Sequence, residues 1–172
     1  MGVLKGRTLL ICLSGLVGFA IGFCFRVAWE ENKFILATWE NDPVIVVCPD
    51  SQITPYRVGL AVDWWGYRGY DFAYVHWDND NQICSKGTFV IGMVFIRSEG
   101  ELLPDTYAVT TRLSLAGKMQ SAAITLPNQH KFMPRLLEHE LGHALGFTHV
   151  KKAGHMMHPI HEQGGEKFYI PD

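Results

Sequence analysis

The chain has 172 residues and a formal net charge of −2, so it lacks the cationic surplus that holds a protein on a phosphate backbone; no nucleic-acid partner is expected. Charged residues are only 19 % of the total, low for a soluble domain, and much of that deficit lies near the N-terminus. No internal repeat, low-complexity tract or second linker interrupts the remainder, which has room for one domain of ordinary size.

In chain order, the first predicted element is the uncharged run Thr8 to Phe25 (TLLICLSGLVGFAIGFCF). Its 18 residues sit at the short end of the ~17–25 that a membrane-spanning helix needs. Lys5 and Arg7 precede it and Glu30 and Glu31 follow it, a bias that keeps the N-terminus cytoplasmic and places the rest outside. The competing reading is a signal peptide cut after the small-x-small triplet Ala20-Ile21-Gly22, which would release a secreted protein. Because Phe23-Cys24-Phe25 continues the apolar run, a retained transmembrane helix is favoured. The organisation expected is therefore an anchor or signal segment over 1–29, a short stalk over 30–42 and one domain over 43–172.

Within that domain Pro43 to Cys48 (PVIVVC) reads as a buried strand. Thr54 is placed to cap a helix that starts at Pro55, buries Val58, Ala61, Val62 and Trp65 on one face, and stops at Gly66. Further strands are expected over 72–77, 88–97, 107–115 and 119–126, the last two joined by a hairpin around Ala116-Gly117-Lys118. The aromatic residues Trp64, Trp65, Tyr67, Tyr70, Phe72, Tyr74 and Trp77 read as packing residues, and WDNDN (77–81) as a polar turn. Cys48 and Cys84 fall in the domain and are close enough in sequence to pair in an oxidising compartment; two buried thiols are the alternative. Strand, helix, four strands and a last helix predict an α+β domain, with a mixed five-stranded twisted sheet, a backing helix and a second helix that carries the chemistry.

That last helix contains HELGHALGFTH, His139 to His149. Four residues on a helix span about 40° of rotation and roughly 6 Å of rise, so His139 and His143 point the same way and can share one zinc ion. Glu140 lies about 100° round from His139, unable to ligate beside it but placed to act on a water as general base. His149 would be about 240° and ~9 Å away from His143 if the helix continued, on the wrong side. Gly146 solves this, because glycine adopts the left-handed conformation that ends a helix and lets the chain swing His149 back as the third ligand. Leu137, Leu141, Ala144 and Leu145 would seat the helix on the sheet, with Asn128 or a neighbour as its cap and Pro134 in its first turn. His155, His158 and His161 read as flexible surface residues, with a second metal as the alternative; His76 and His130 read as structural or exposed.

The spacing H-E-x-x-H-x-x-G-x-x-H resembles the metzincin clan of zinc metalloproteases. The following Met157-His158-Pro159 resembles the Met-turn of matrixins, with Met156 as the alternate methionine. The resemblance implies a metzincin-like zincin fold, zinc held by His139, His143 and His149, Glu140 as catalytic base, and Met157 as an apolar floor beneath the metal. It further implies a peptide or protein substrate lying extended along an edge strand, for which 107–115 is the candidate. Pro159 stands where some metzincins carry a tyrosine ligand, so no such ligand is expected here. The function expected is a membrane-anchored, extracytoplasmic zinc endopeptidase. Two alternatives stay open: a non-catalytic zinc-binding module, and a zinc amidase acting on cell-wall peptide.

Overall fold

The computed structural model describes residues 33–87, 89–98, 102 and 106–171. The elements are β1 (Val44–Val47), α1 (Pro55–Gly66), β2 (Val75–Trp77), β3 (Met93–Arg97), β4 (Val109–Leu115), β5 (Lys118–Thr125) and α2 (Leu136–Ala144), in the expected order. Most of the expected N-terminal segment, including all of 1–29, lies outside the described residues, and no described helix is long and apolar enough to cross a membrane.

The five strands form one sheet in the order β2-β1-β3-β5-β4. Strand β1 pairs in parallel with β2 and β3, β3 in parallel with β5, and only β4 runs antiparallel, against β5. The fold is thus mixed α/β, with a mostly parallel sheet and two helices. Parallel neighbours need a crossover, and α1 supplies it between β1 and β2.

Alternation along the strands decides where the helices sit. Successive side chains point to opposite faces. Ile45, Val47, Val94, Ile96, Ala122 and Ile124 therefore fall on one face, where they pack with Val58, Ala61 and Trp65 of α1 and Leu137, Leu141 and Ala144 of α2. The intervening Val46, Cys48, Phe95 and Ala123 form a smaller cluster on the other face with Cys84. Both helices thus cover the same side of the sheet.

Thr54 caps α1 as expected, its hydroxyl accepting from the Arg57 N–H at 3.3 Å, with Pro55 in the first turn. The helix stops at Gly66 as expected, though not through a left-handed glycine there. Gly66 is the last helical residue, and the positive φ comes at Gly69 (+78°). The expected strands over 72–77 and 88–97 are shorter, starting at Val75 and Met93. Gly92, at φ +81°, turns the chain immediately before β3 and donates its N–H to the Gln120 carbonyl. The β4–β5 turn is tight because Ala116 (φ +50°) and Gly117 (φ +76°) supply the paired positive dihedrals of a type I′ turn.

Residues 34–42 do not behave as a stalk. Ala37 is buried, Phe34, Ile35 and Trp39 pack on the core, and Thr38 bridges to Lys118 beside the β4–β5 turn. The compact unit accordingly begins at Phe34. Of the aromatic run, Trp65, Tyr70, Phe72 and Trp77 pack into the core as expected, whereas Tyr67 and Tyr74 are exposed. In WDNDN the buried Asp78 carboxylate accepts the backbone N–H groups of Gln82, Ile83 and Cys84, which organises a polar turn.

Cys48 and Cys84 are joined in a disulfide with Cα atoms 5.9 Å apart, closing a loop of sequence separation 36 on the sheet face away from the helices. In the chain-entropy treatment such a loop contributes ~3–4 kcal/mol. The double variant Cys48→Ser/Cys84→Ser is expected to lose about that much unfolding free energy in a urea titration. Because the bridge lies across the sheet from α2, metal affinity should stay the same; unchanged stability would contradict the assignment.

Candidate metal centre

Helix α2 is fixed before it presents any ligand. Glu138, pointing inward, accepts both terminal nitrogens of Arg57 from α1 at 2.8 and 2.6 Å, and both residues are buried. The indole N–H of Trp65 donates to the Glu138 carbonyl at 2.8 Å. Breaking a buried pair of this kind from one side costs ~3–5 kcal/mol, so rotation of α2 about its axis is strongly opposed. The helix starts later than expected. Its cap is Arg135 in the left-handed region (φ +66°) with no side-chain cap bond, and Asn128 instead lies in a preceding turn near Lys131. A left-handed residue cannot continue a helix backwards, so Pro134 falls just outside the first turn.

The helix ends in a Schellman-type reversal. Gly146 N–H donates to the His143 carbonyl and Phe147 N–H to the Gly142 carbonyl, both at 3.0 Å, with Gly146 at φ +104°. A Cβ on Gly146 would also run into the Ala37 carbonyl oxygen. The segment 34–39 locks this turn from outside. Leu36 N–H donates to the Gly146 carbonyl, Thr148 N–H to the Phe34 carbonyl, and the Trp39 indole to the Ala144 carbonyl.

The reversal brings together the three predicted ligands. His149 Nε2 lies 3.3 Å from His139 Nε2 and 3.1 Å from His143 Nε2, and the three ligand atoms all fall within 4.8 Å of one another. A tetrahedral ion with bonds of ~2.0–2.1 Å requires nitrogens ~3.3–3.4 Å apart, which these contacts match. Hydrogen bonding fixes the tautomers. His139 Nδ1 is 2.8 Å from the Met156 carbonyl and His143 Nδ1 is 2.8 Å from the Phe147 carbonyl. A carbonyl only accepts, so each Nδ1 carries the proton and each Nε2 is left with its lone pair. Lone pairs gathered this closely repel, and a cation between them reverses the sign of the interaction. The donor set therefore fits a divalent metal ion.

Burial keeps the rings neutral. It pushes His139 down to about 4 and His143 down to about 3, and it holds His149 below the ordinary imidazole value with help from the nearby Arg112 charge. Glu140 is shifted the other way. Burial pushes it up to about 7, against the opposing effects of the Thr110 hydrogen bond and the Arg112 charge. Its Oε2 accepts the Thr110 hydroxyl at 2.6 Å.

Met157 is fully buried, and its sulfur occupies the space that a Cβ on Gly142 would need. It thus lies against the helix between the two histidines, while Met156 contributes the carbonyl that orients His139. The histidines that follow are not flexible surface residues. His155 and His158 are buried, at 1 % and 6 % exposure. His155 accepts the Met157 N–H on Nδ1 and faces the Tyr169 carbonyl with Nε2, 3.0 Å away, so it shapes the turn that holds both methionines. His158 borders the cleft with half-buried His161, and among the described residues only His139, His143 and His149 form a metal-holding group.

The cleft above the three histidines measures about 700 Å³ and is walled by β4 on one side and the 158–162 segment on the other. Thr110 and Arg112, both half-buried on the face of β4 toward α2, were missed from sequence. The period-2 pattern of that strand carried the signal, because polar residues two apart on an inward face need partners. No protein-family model, curated protein or solved structure matches the chain.

Two outcomes follow for the metal centre. Gly146→Ala is expected to lower metal affinity at least tenfold and to depress the melting temperature, since the left-handed strain alone costs about 1–2 kcal/mol before the clash with Ala37. Gly59→Ala, in α1 where a Cβ meets nothing within 4 Å, is the control: metal affinity should stay the same and the melting temperature should not fall, since alanine is the better helix former. The second concerns pH. Three ordinary imidazoles would lose about a thousandfold in affinity between pH 7.5 and 5.5 through proton competition. His139 and His143 stay unprotonated until about 4 and about 3, so a chelator-competition titration should show far less than that loss. A full thousandfold fall would contradict the depressed values.

Proposed function

We propose that the chain is a zinc-dependent endopeptidase, metzincin-like in its active-site plan. The observation that carries the reading is the convergence of three imidazole Nε2 atoms beside a buried glutamate that is not a ligand. His139, His143 and His149 would hold the zinc, and no fourth side chain among the described residues joins them, unlike the closed set of a purely structural site. When bound, the ion would supply Lewis acidity, lowering the pKa of a neighbouring water and drawing electron density from the scissile carbonyl.

The residues of the chain do the rest. Glu140 accepts the proton of the attacking water and hands it to the leaving amine. A carboxyl that titrates at about 7 in the chain alone is suited to both halves of that transfer near neutral pH. Thr110 donates to Oε2, holding the carboxylate in one orientation. Met157, packed against Gly142, supports the helix from below. Among the described residues strand β4 has no neighbour on its outer side in the sheet order, so an extended peptide can add to it as a further strand and bring its carbonyl over the histidines.

The proposed setting is extracytoplasmic, tethered to the membrane by the apolar run over 8–25. The Cys48–Cys84 disulfide supports an oxidising compartment.

The test is to assay the zinc-loaded full-length chain and its Glu140→Ala variant against a mixed peptide library while metal content is measured. The reading predicts about one zinc per chain in both proteins, and a loss of ~10²–10⁴-fold in kcat for the variant. Zinc bound with no cleavage by either would favour a binding module, and activity only on cell-wall peptide would favour an amidase.

A further inference from the structure

Arg112 is the one Arg or Lys side chain among the described residues lining the cleft, and the proposed proton transfer assigns it no work. It points from β4 toward α2, half-buried, two residues beyond the threonine that touches Glu140. Its Nη1 donates to the Phe147 carbonyl at 3.0 Å and more weakly to the His143 carbonyl at 3.5 Å. These bonds help to fasten the reversal, but carbonyls are neutral and cancel none of the charge. Both bonds use Nη1, while Nη2 and Nε make none among the described residues. No carboxylate among the described residues pairs with it directly, although Glu140 lies near enough to act on its charge. The one carboxylate–guanidinium pair within 4.0 Å among the described residues is Arg57–Glu138, across the core.

A guanidinium taken partly out of water without a carboxylate partner is unfavourable in isolation, and a ligand carboxylate offsets that cost with two parallel charge-assisted bonds. The same burial strengthens the interaction, because charges meet at lower effective dielectric. Position along the strand then sets where such a group would sit. Two residues of β4 span roughly 7 Å, so Arg112 lies about two substrate residues away from the carbonyl above Glu140.

We propose that Arg112 is a substrate-binding residue that reads a carboxylate about two residues from the scissile bond, presented either by an acidic side chain or by the peptide's own C-terminus. The assignment rests on the hydrolase reading above for the word substrate, and its test is arranged to stand apart from it.

The experiment uses zinc-loaded full-length protein and a set of matched peptides. Each position in turn carries Glu or Gln, and every peptide is made with a free and an amidated C-terminus. Turnover is measured with the wild type, and binding by fluorescence anisotropy with Glu140→Ala, chosen because its turnover is expected to be too slow to deplete the peptide. Expected is a preference of about tenfold or more for the carboxylate form at one position, expressed mainly in KM and repeated in the binding assay. An internal Glu giving that preference identifies an acidic side chain as the source; a free C-terminus giving it identifies the terminal carboxylate. Arg112→Gln should reduce the carboxylate-over-amide preference to within twofold, a ratio that stays readable whatever the loss of its bonds to the 143–147 turn does to all peptides alike. Arg112→Lys, a point charge without the fork, should retain part of it and serves if the Gln variant melts early. Equal binding of all carboxylate and amide forms by the wild type overturns the proposal, as does a preference that survives in Arg112→Gln. A binding preference with no turnover of any peptide would instead remove the hydrolase reading and leave the Arg112 site standing.

Discussion

The metal centre depends on one backbone event, the left-handed turn at Gly146. A helix can align two histidines four residues apart, but it carries the next candidate to its far side. Only a reversal within two residues of the helix end returns His149 to the same point. Gly146 makes that reversal twice over, by its φ of +104° and by the space it leaves for the Ala37 carbonyl. The segment 34–39 then ties the turn to the β4–β5 hairpin and the end of α2. The site is thus held by chain on both sides of α2.

Electrostatics follow from that geometry. Packing the turn against the sheet buries His139, His143 and Glu140 together, and the same desolvation acts in opposite directions on their charges. The imidazoles are kept neutral and ready to ligate, while the carboxyl is brought to about 7. Backbone carbonyls of Met156 and Phe147 fix the tautomers of His139 and His143, so two residues that are not themselves ligands determine which ring nitrogens face the site. The second of these carbonyls also accepts from Arg112, which connects the edge strand of the cleft to the ligand turn.

Much of this was legible in the sequence, for local reasons. The three histidines, Glu140 and Gly146 lie within eleven residues, so helix periodicity and glycine conformation alone specify their relation. Thr54, Pro55 and the Ala116-Gly117 turn are short-range signals of the same kind and were placed correctly. What escaped was set by contacts distant in sequence. Residues 34–42 look like a linker until their partners 79 to 114 positions away are known, and Arg57–Glu138 joins two helices through residues 81 apart. His155 and His158 look polar and exposed by residue type, yet both are buried, with backbone groups on both ring nitrogens of His155 and on Nδ1 of His158. The strand ends were overestimated because β-branched runs continue past Gly92, where the backbone turns.

The central claim is that three imidazoles close on a single divalent ion. X-ray absorption on the zinc-loaded chain measures this without reference to turnover. The account predicts one metal per chain with three nitrogen neighbours of imidazole character at ~2.0–2.1 Å and a lighter fourth neighbour, falling to two imidazoles in His149→Ala. A spectrum with fewer than three imidazoles in the unaltered protein, or one unchanged by that substitution, would contradict it.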